Sequence, residues 1–458
     1  MKKWKITGII VAIAAVILTA VYLAGRYYFM NHFYPKTTVN GVEVGYKTKK
    51  DALSEVRDNL RKYVLNIKSS DKTMVISANN CGLEYTGADQ IKKLLEDQQE
   101  EYWFRDVFSR HDHEAKGMKI NEERLREAVN NLYCLNPDNP QPPVDAGIVL
   151  DEEKKEYVII DEIIGNTVEP ETFYAAVEKA VLSGDKTLDM TTNAYYVQPK
   201  YHAADEIVQN AKKTLDTYMA TVINYEDSGC TYTLDKENIC KFITLGDEFK
   251  ISFDKEVMKQ FISDTISPVF NTVGKSRTFD SPGRGRFSIS GGTYGWQVGL
   301  LDERAAMIED IKAGQTVTRE PKYLQDAALK DRTYDVGNSY IDASISDQHL
   351  WVVEKGKVTM QSDFVSGDSS KGRDTDKGIY MIEKKQRNYA MRENPVTVSY
   401  WLPFNLDLGE GFHDATWRKS FGGRIYTYNG SHGCINLPPA FAKKLYEHIK
   451  VGFPVVIH

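Results

Sequence analysis

The sequence predicts an N-terminal transmembrane helix, tandem α+β modules, and a C-terminal β-rich, sandwich-like domain. Three observations carry this prediction. An uncharged run extends from Ile6 to Gly25, a pair of helical segments is bracketed by glycines at equal spacing, and from Asn338 onward the texture becomes alternating, β-branched and aromatic. At 458 residues the chain has room for about three domains of ordinary size. With 27% charged residues and a formal net charge of -6, it is globular in composition and offers no basic footprint for nucleic acid.

The first element is the run ITGIIVAIAAVILTAVYLAG. At about 1.5 Å per residue it is long enough to cross a hydrocarbon core of roughly 30 Å. Lys2, Lys3 and Lys5 precede it, and Arg26 weakens the charge asymmetry only slightly. The positive-inside rule then keeps the short end in the cytoplasm and exports everything after Tyr27. A cleaved signal peptide is the competing reading. The apolar run is longer than a signal-peptide core, and no small-x-small cleavage site follows it. Residues 1–30 are therefore expected to be a cytoplasmic tip and a single-pass anchor in the cell membrane, with the rest of the chain extracellular.

The stretch VNGVEVGYKTKKDALSEVRDNLRKYV predicts a short strand pair turning at Asn40 and Gly41, followed by an amphipathic helix. Four prolines between Asn136 and Gly147 exclude helix or central strand there and mark a linker. Further on, IIGNTVEPETFYAAVEKAVLSGDKTLDM from Ile163 aligns with TYGWQVGLLDERAAMIEDIKAGQTVTRE from Thr293. Gly165 pairs with Gly295 and Gly184 with Gly314, both 19 residues apart (184 − 165 and 314 − 295). Each pair brackets a helix that stops at a glycine and is followed by a strand-like segment. The pattern predicts two copies of one module, over 31–200 and 201–332.

Five cysteines in an exported chain is an odd number, so at least one stays unpaired within the molecule. Cys230 with Cys240 and Cys81 with Cys134 are conceivable bridges, and four reduced cysteines are an equal alternative. Cys434 is the natural one to stay unpaired. It lies in NGSHGCINLP, among Ser431, His432 and Gly433, a polar and conformationally permissive setting unlike that of a buried structural cysteine.

Cys434 belongs to the C-terminal segment, 338–458, whose strands are expected in SYIDASISDQHLWVVEKGKVTMQSDFVSG, KGIYMIEKK, PVTVSYWLPFNL and FPVVIH, with one helix in LPPAFAKKLYEHIK. Two histidines precede the cysteine, His413 and His432. Zinc is disfavoured because an H-x-C pair is too close for ordinary tetrahedral chelation and no CxxC or HxxxH lies nearby, so no metal site is expected. A core role is disfavoured by the small polar residues around it. Cysteine, histidine and a group orienting that histidine are what thiol acyl transfer requires. The order, histidine before cysteine, differs from that of papain-like enzymes.

The segment FHDATWRKSFGGRIYTYNGSHGCINLPP resembles the signature of the L,D-transpeptidase catalytic domain, in which a histidine precedes a Ser/Thr-His-Gly-Cys block. DTDKGIYMI, Asp374 to Ile382, resembles the Thr-Pro-x-Gly strand of the same domain. The tandem modules resemble peptidoglycan-binding domains found ahead of cell-wall cross-linking enzymes, with Gly291 to Val298 the most telling piece. Wall binding and simple spacing remain open for them.

The resemblance implies a membrane-anchored enzyme acting on peptidoglycan stem peptides, donor tetrapeptide and acceptor, through a cysteine thioester with release of D-Ala. An L,D-carboxypeptidase at the same site and a non-catalytic wall-binding protein are the alternatives. Cys434 is implied as nucleophile and His413 as base, forming a thiolate–imidazolium pair, with Asp414 orienting the ring through its carbonyl or side chain. His432, Ser431 and Gly433 are implied to build the turn, with the N–H groups of Gly433 and Cys434 holding the oxyanion. Tyr400, Trp401, Trp417 and Phe421 are expected to line the cleft, with Asn429 and Asn436 offering amide contacts; for Trp401 and Phe421 plain core is an equal reading. No cofactor is implied, and carbapenems are implied as acylating agents in preference to penicillins. Two positions depart from the family pattern: Asn436 stands where many members carry arginine, and Asp376 where the strand carries proline.

Overall fold

The computed structural model describes residues 2–70, 72–391 and 396–458. Met1 of the expected cytoplasmic tip and Pro395, which opens one expected strand, lie outside the described residues. The chain forms two compact units, one of residues 1–147 with 159–205, the other of 148–158 with 206–458.

In the first unit a helix, Lys2–Phe29, is long and apolar enough to cross a membrane, the property an anchor or a signal sequence requires. Trp103 packs at its C-terminal end, donating from Nε1 to the Tyr22 carbonyl at 3.0 Å. Only a glycine fits beneath that ring, since a Cβ on Gly25 would come within 2.3 Å of it. The expected turn forms between Thr37–Val39 and Val42–Glu43, with Asn40 and Gly41 both at positive φ, 52° and 76°. The amphipathic helix follows at Lys49–Arg61, capped by Thr48 Oγ1, which accepts from the Asp51 N–H at 3.3 Å.

The two segments aligned in sequence have similar surroundings in their sheets. In the first unit Val64–Lys68 lies between antiparallel Thr73–Ser77 and parallel Thr187–Asp189. In the second, Val222–Asp227 lies between antiparallel Cys230–Leu234 and parallel Thr316–Arg319. Each parallel strand follows a helix, Pro170–Ser183 or Leu300–Ala313, that ends on a left-handed glycine, Gly184 at φ 74° and Gly314 at φ 68°. The parallel strand has to cross over its own sheet, so a helix is the natural connection. The matched segments cover the helix and parallel strand of each sheet but not its hairpin, whose distance to the parallel strand differs, 187 − 64 = 123 against 316 − 222 = 94.

The sheet around Val222–Asp227 holds a buried ionic cluster. Glu303, fully buried, accepts from Tyr225 Oη at 2.6 Å, from Arg319 Nη2 and Nη1 at 2.7 and 3.0 Å, and from the Lys322 N–H at 2.7 Å. Removing one member strands a charge in a low-dielectric interior. Arg319→Met is expected to lower unfolding stability by about 3–5 kcal/mol. A Glu303→Leu/Arg319→Met double variant should recover much of the loss, read from urea unfolding of both proteins.

Gly291 to Val298 packs on the edge of the C-terminal domain. The Gly291 carbonyl accepts from the Ile379 N–H at 3.1 Å, and Tyr294 N–H donates to the Ile379 carbonyl at 3.0 Å. A Cβ on Gly292 would lie 2.1 Å from that carbonyl. The Tyr294 and Trp296 side chains are buried, with Trp296 Nε1 donating to the Leu329 carbonyl at 2.9 Å. Phe279, Tyr294 and Val336 form one apolar cluster with Tyr340, Val353, Ile379 and Val456. The residues of the most telling wall-binding resemblance are thus engaged in internal packing.

The C-terminal domain consists of two sheets. One has the order Lys357–Asp363, His349–Glu354, Tyr340–Ser344, Pro454–Ile457, Gly378–Met381. The other runs Gln386–Ala390, Thr397–Asn405, Glu410–Asp414, Ile435–Leu437. Ile341, Val352 and Val455 from the first meet Leu402, Phe412 and Ile435 from the second in one core, joined by Ala442 and Leu445 of helix Pro439–His448. The four-stranded sheet has a second face, and that face carries the candidate site.

Candidate active site

Strand register places the chemistry. Phe412 pairs with Ile435 and both turn into the core, so their neighbours turn the other way. His413 lies opposite Asn436, and Cys434, just before the strand, flanks it on the same face. Trp401 pairs with His413 across the antiparallel neighbour, with ring centroids 5.9 Å apart. Trp401, stacked on Tyr389 at 5.3 Å, also packs with Cys434 and Val398. Nucleophile and base candidates therefore share one face, diagonal to each other and backed by one indole.

The His413 ring is oriented by the following residue's backbone. Its Nδ1 donates to the Asp414 carbonyl at 2.9 Å, which leaves Nε2 as the basic nitrogen. The Asp414 carboxylate is used otherwise, accepting from the Tyr400 N–H at 2.8 Å. Burial pushes the His413 pKa down, and the neighbouring Arg418 charge pushes the same way. The Asp414 carbonyl and charge push the other way, and the net direction favours an imidazole able to take a proton at Nε2. Cys434 is almost fully buried, and its thiol donates to the Gly409 carbonyl at 3.3 Å.

The turn ahead of Cys434 is strapped to segment 366–368. Ser431 N–H donates to the Ser366 carbonyl at 2.9 Å, and Asp368 N–H to the Ser431 carbonyl at 3.0 Å. Ser431 Oγ donates to the Cys434 carbonyl and accepts from the Gly433 N–H. The Gly433 N–H, expected to hold an oxyanion, is thus engaged at 3.1 Å within the turn. Thr375, from the segment resembling the Thr-Pro-x-Gly strand, donates to the Gly433 carbonyl at 2.5 Å. Gly433 sits at φ 124°, and a Cβ there would lie 2.9 Å from Glu410 Oε1.

The remaining expected residues separate. Trp417 is half exposed with its ring 5.9 Å from His413, and Phe421 is half-buried in the same loop. His432 is exposed and bonded to the Arg373 guanidinium. Tyr400 belongs to the opposite strand face, its ring 5.3 Å from Tyr446 of helix Pro439–His448, so it is not brought to the cleft. Asn429 is exposed and contributes its carbonyl to Arg418. Asn436 is buried, its backbone paired with Val365, so its amide is not an exposed substrate contact.

None of the five cysteines is in a disulfide. Burial raises the thiol pKa of Cys81, Cys240 and Cys134, the last to about 11, which makes them inert core residues. Among the described residues, no group of three or more His, Cys, Asp or Glu side chains is placed to hold a metal.

Glu410 was not singled out by the sequence reading. It lies beneath Gly433, with Oε1 accepting from the Asp376 N–H at 3.1 Å and Oε2 buried without a partner. Burial raises its pKa to about 7. The available signal was strand alternation: an acid two residues before Phe412 shares the face of a core residue. The folded protein holds this proton above the carboxyl's ordinary range, so the contribution of Glu410 to stability is full below about pH 4.5 and is lost as pH rises through about 7. The expected size is on the order of 2 kcal/mol. Thermal melts of Glu410→Gln from pH 4 to 8 should lack this decline, and an unchanged decline would assign it elsewhere.

These features, a thiol and a backbone-oriented histidine on one sheet face with a Ser-His-Gly-Cys turn, define a cysteine acyl-transfer domain. Residues 338–457 match the family model for YkuD, the L,D-transpeptidase catalytic domain. This part of the chain belongs to that family, and the protein is an L,D-transpeptidase enzyme whose family acts on peptidoglycan stem peptides.

Solved structures similar to the chain include a cysteine-to-serine variant of Enterococcus faecium L,D-transpeptidase, at 28% identity over 54% of this chain and 98% of that one, TM-score 0.39. The catalytic domain of E. faecium L,D-transpeptidase is 32% identical over 26% of this chain and 96% of its own, TM-score 0.24. An L,D-transpeptidase from Stackebrandtia nassauensis is 32% identical over 26% and 55%, TM-score 0.23. Comparison with curated proteins found no match.

Proposed function

We propose that this protein forms peptidoglycan cross-links between third residues of stem peptides, with Cys434 as nucleophile and His413 as base. The placement of both on one face against Trp401, with His413 Nδ1 fixed on the Asp414 carbonyl, is the observation that supports this reading. The Cys434 sulfur attacks the carbonyl carbon between the third residue and the terminal D-Ala, and its proton passes to His413 Nε2. The oxyanion is held by the Cys434 N–H in the turn. Collapse breaks the C–N bond, His413 returns the proton to the leaving amine, and D-Ala departs to leave a thioester. A side-chain amine of a neighbouring stem attacks that thioester, gives its proton to His413, and the thiol is restored as the cross-link closes.

The helix Lys2–Phe29 is read as a retained anchor with its lysines in the cytoplasm, which places the enzyme on the outer side of the cell membrane. The modules over 31–200 and 201–332 then carry the catalytic domain toward the wall; binding of either to purified peptidoglycan would make them recognition modules as well.

The test is incubation of the chain from about Asn31 onward with tetrapeptide-bearing muropeptides, followed by mass spectrometry. A dimer with loss of D-Ala is the expected product. A monomeric tripeptide would mean carboxypeptidase action at the same site, and unchanged substrate would overturn both.

A further inference from the structure

Arg418 occupies an unusual place in this site. It lies five residues after His413 (418 − 413), and its Nη1 donates at 2.7 Å to the carbonyl of Asn429, five residues before Cys434 (434 − 429). Among the described residues that is its one side-chain hydrogen bond, and Nε is buried without a partner. No carboxylate among the described residues lies within ion-pair distance of it. Asp368, the acid whose charge acts on it, is itself paired with Lys371 at 2.9 Å and accepts from Ser370 and the Gly430 N–H. A partly desolvated guanidinium with open donors and no counter-ion is an anion site awaiting its ligand.

We infer that Arg418 binds the free C-terminal carboxylate of the donor stem, one residue beyond the scissile amide. The inference rests on the proposed acyl transfer and names how that site reads its donor. His413 must hand its proton to the leaving amine, so the leaving residue lies on the His413 side of the thiol. In a one-residue leaving group the carboxylate is only two bonds from that amine, so the cation that reads it has to stand beside the base. Arg418 belongs to the loop that joins base and nucleophile: Trp417, next to it in the chain, is the indole 5.9 Å from the His413 ring, and the Arg418 Nη1 is held on the Asn429 carbonyl ahead of Cys434. A donor one residue longer would carry its carboxylate about 3.8 Å farther along the chain. Arg418 thereby selects donors that end one residue after the cleaved bond.

The experiment compares a tetrapeptide donor, its C-terminal amide and a pentapeptide acid on the wild-type protein and on Arg418→Met and Arg418→Lys. A charge-assisted contact of this kind corresponds to a factor of about 10–100 in kcat/KM. The wild type is expected to prefer the tetrapeptide acid over its amide by that factor, and Arg418→Met to lose the preference by losing the acid alone. Arg418→Lys should retain part of it. Alkylation of Cys434 by iodoacetamide should still go to completion in all three proteins, showing the thiol accessible and the fold intact. Equal losses on acid and amide, or a preference that survives in Arg418→Met, would overturn the inference while leaving acyl transfer standing. A wild type that turns over none of the donors would overturn the proposed function, and this inference with it.

Discussion

Cys434→Ser is expected to remain folded and to lose turnover by at least about 10⁴-fold. Serine has nearly the thiol's shape, so the packing of position 434 against Trp401 and Val398 is kept. A hydroxyl is a far weaker acid than a thiol, and a neutral imidazole beside it cannot draw off its proton to a useful extent. The same substitution bears on inhibition. A carbapenem is expected to acylate the wild-type protein once, with loss of activity, while ampicillin reacts much more slowly. Intact-mass spectrometry should show no adduct on Cys434→Ala. An adduct surviving in the alanine variant, or near-normal turnover in the serine variant, would remove Cys434 from the mechanism.

His413→Ala should cost about 10³- to 10⁴-fold in kcat/KM, and His432→Ala no more than about tenfold. The difference follows from their surroundings. His413 is buried, oriented by the Asp414 carbonyl and on the face of the thiol, whereas His432 is exposed and tied to Arg373. The pH profile separates the base from a mere packing residue. Wild-type kcat/KM should fall at low pH as His413 takes up a proton, with its midpoint below the ordinary histidine range because the ring is buried. In His413→Ala that limb should vanish. If His432→Ala proved the more damaging change, the two histidines would exchange roles.

Much of this site is legible in the one-dimensional chain because its chemistry is local. Base, turn and nucleophile fall within 21 residues (434 − 413), and glycines mark where the backbone must turn or approach closely. The helix stops at Gly184 and Gly314 are legible for the same reason: a left-handed cap excludes most side chains, so the residue type itself reports the conformation.

What the sequence by itself determined is the set of groups available for acyl transfer, the apolar N-terminal helix and the repetition of a helix–strand unit. Tertiary structure alone decided which of those groups meet. Alternation requires Tyr400 and Trp401 to face opposite ways, but only the register of Trp401 on His413 says which one faces the thiol. The Gly433 N–H is withdrawn from oxyanion duty by a side chain two residues away, and Asn436 is buried because its backbone pairs with Val365. Glu410 and Arg418 read as ordinary surface charges in sequence. One is carried under the turn by its strand, and the other is folded against the Asn429 carbonyl by its loop, so each acquires its special character from burial. Burial and register depend on contacts between residues far apart in the chain, so a local pattern such as the alternation of Glu410 with Phe412 can point to a face but cannot say what covers it.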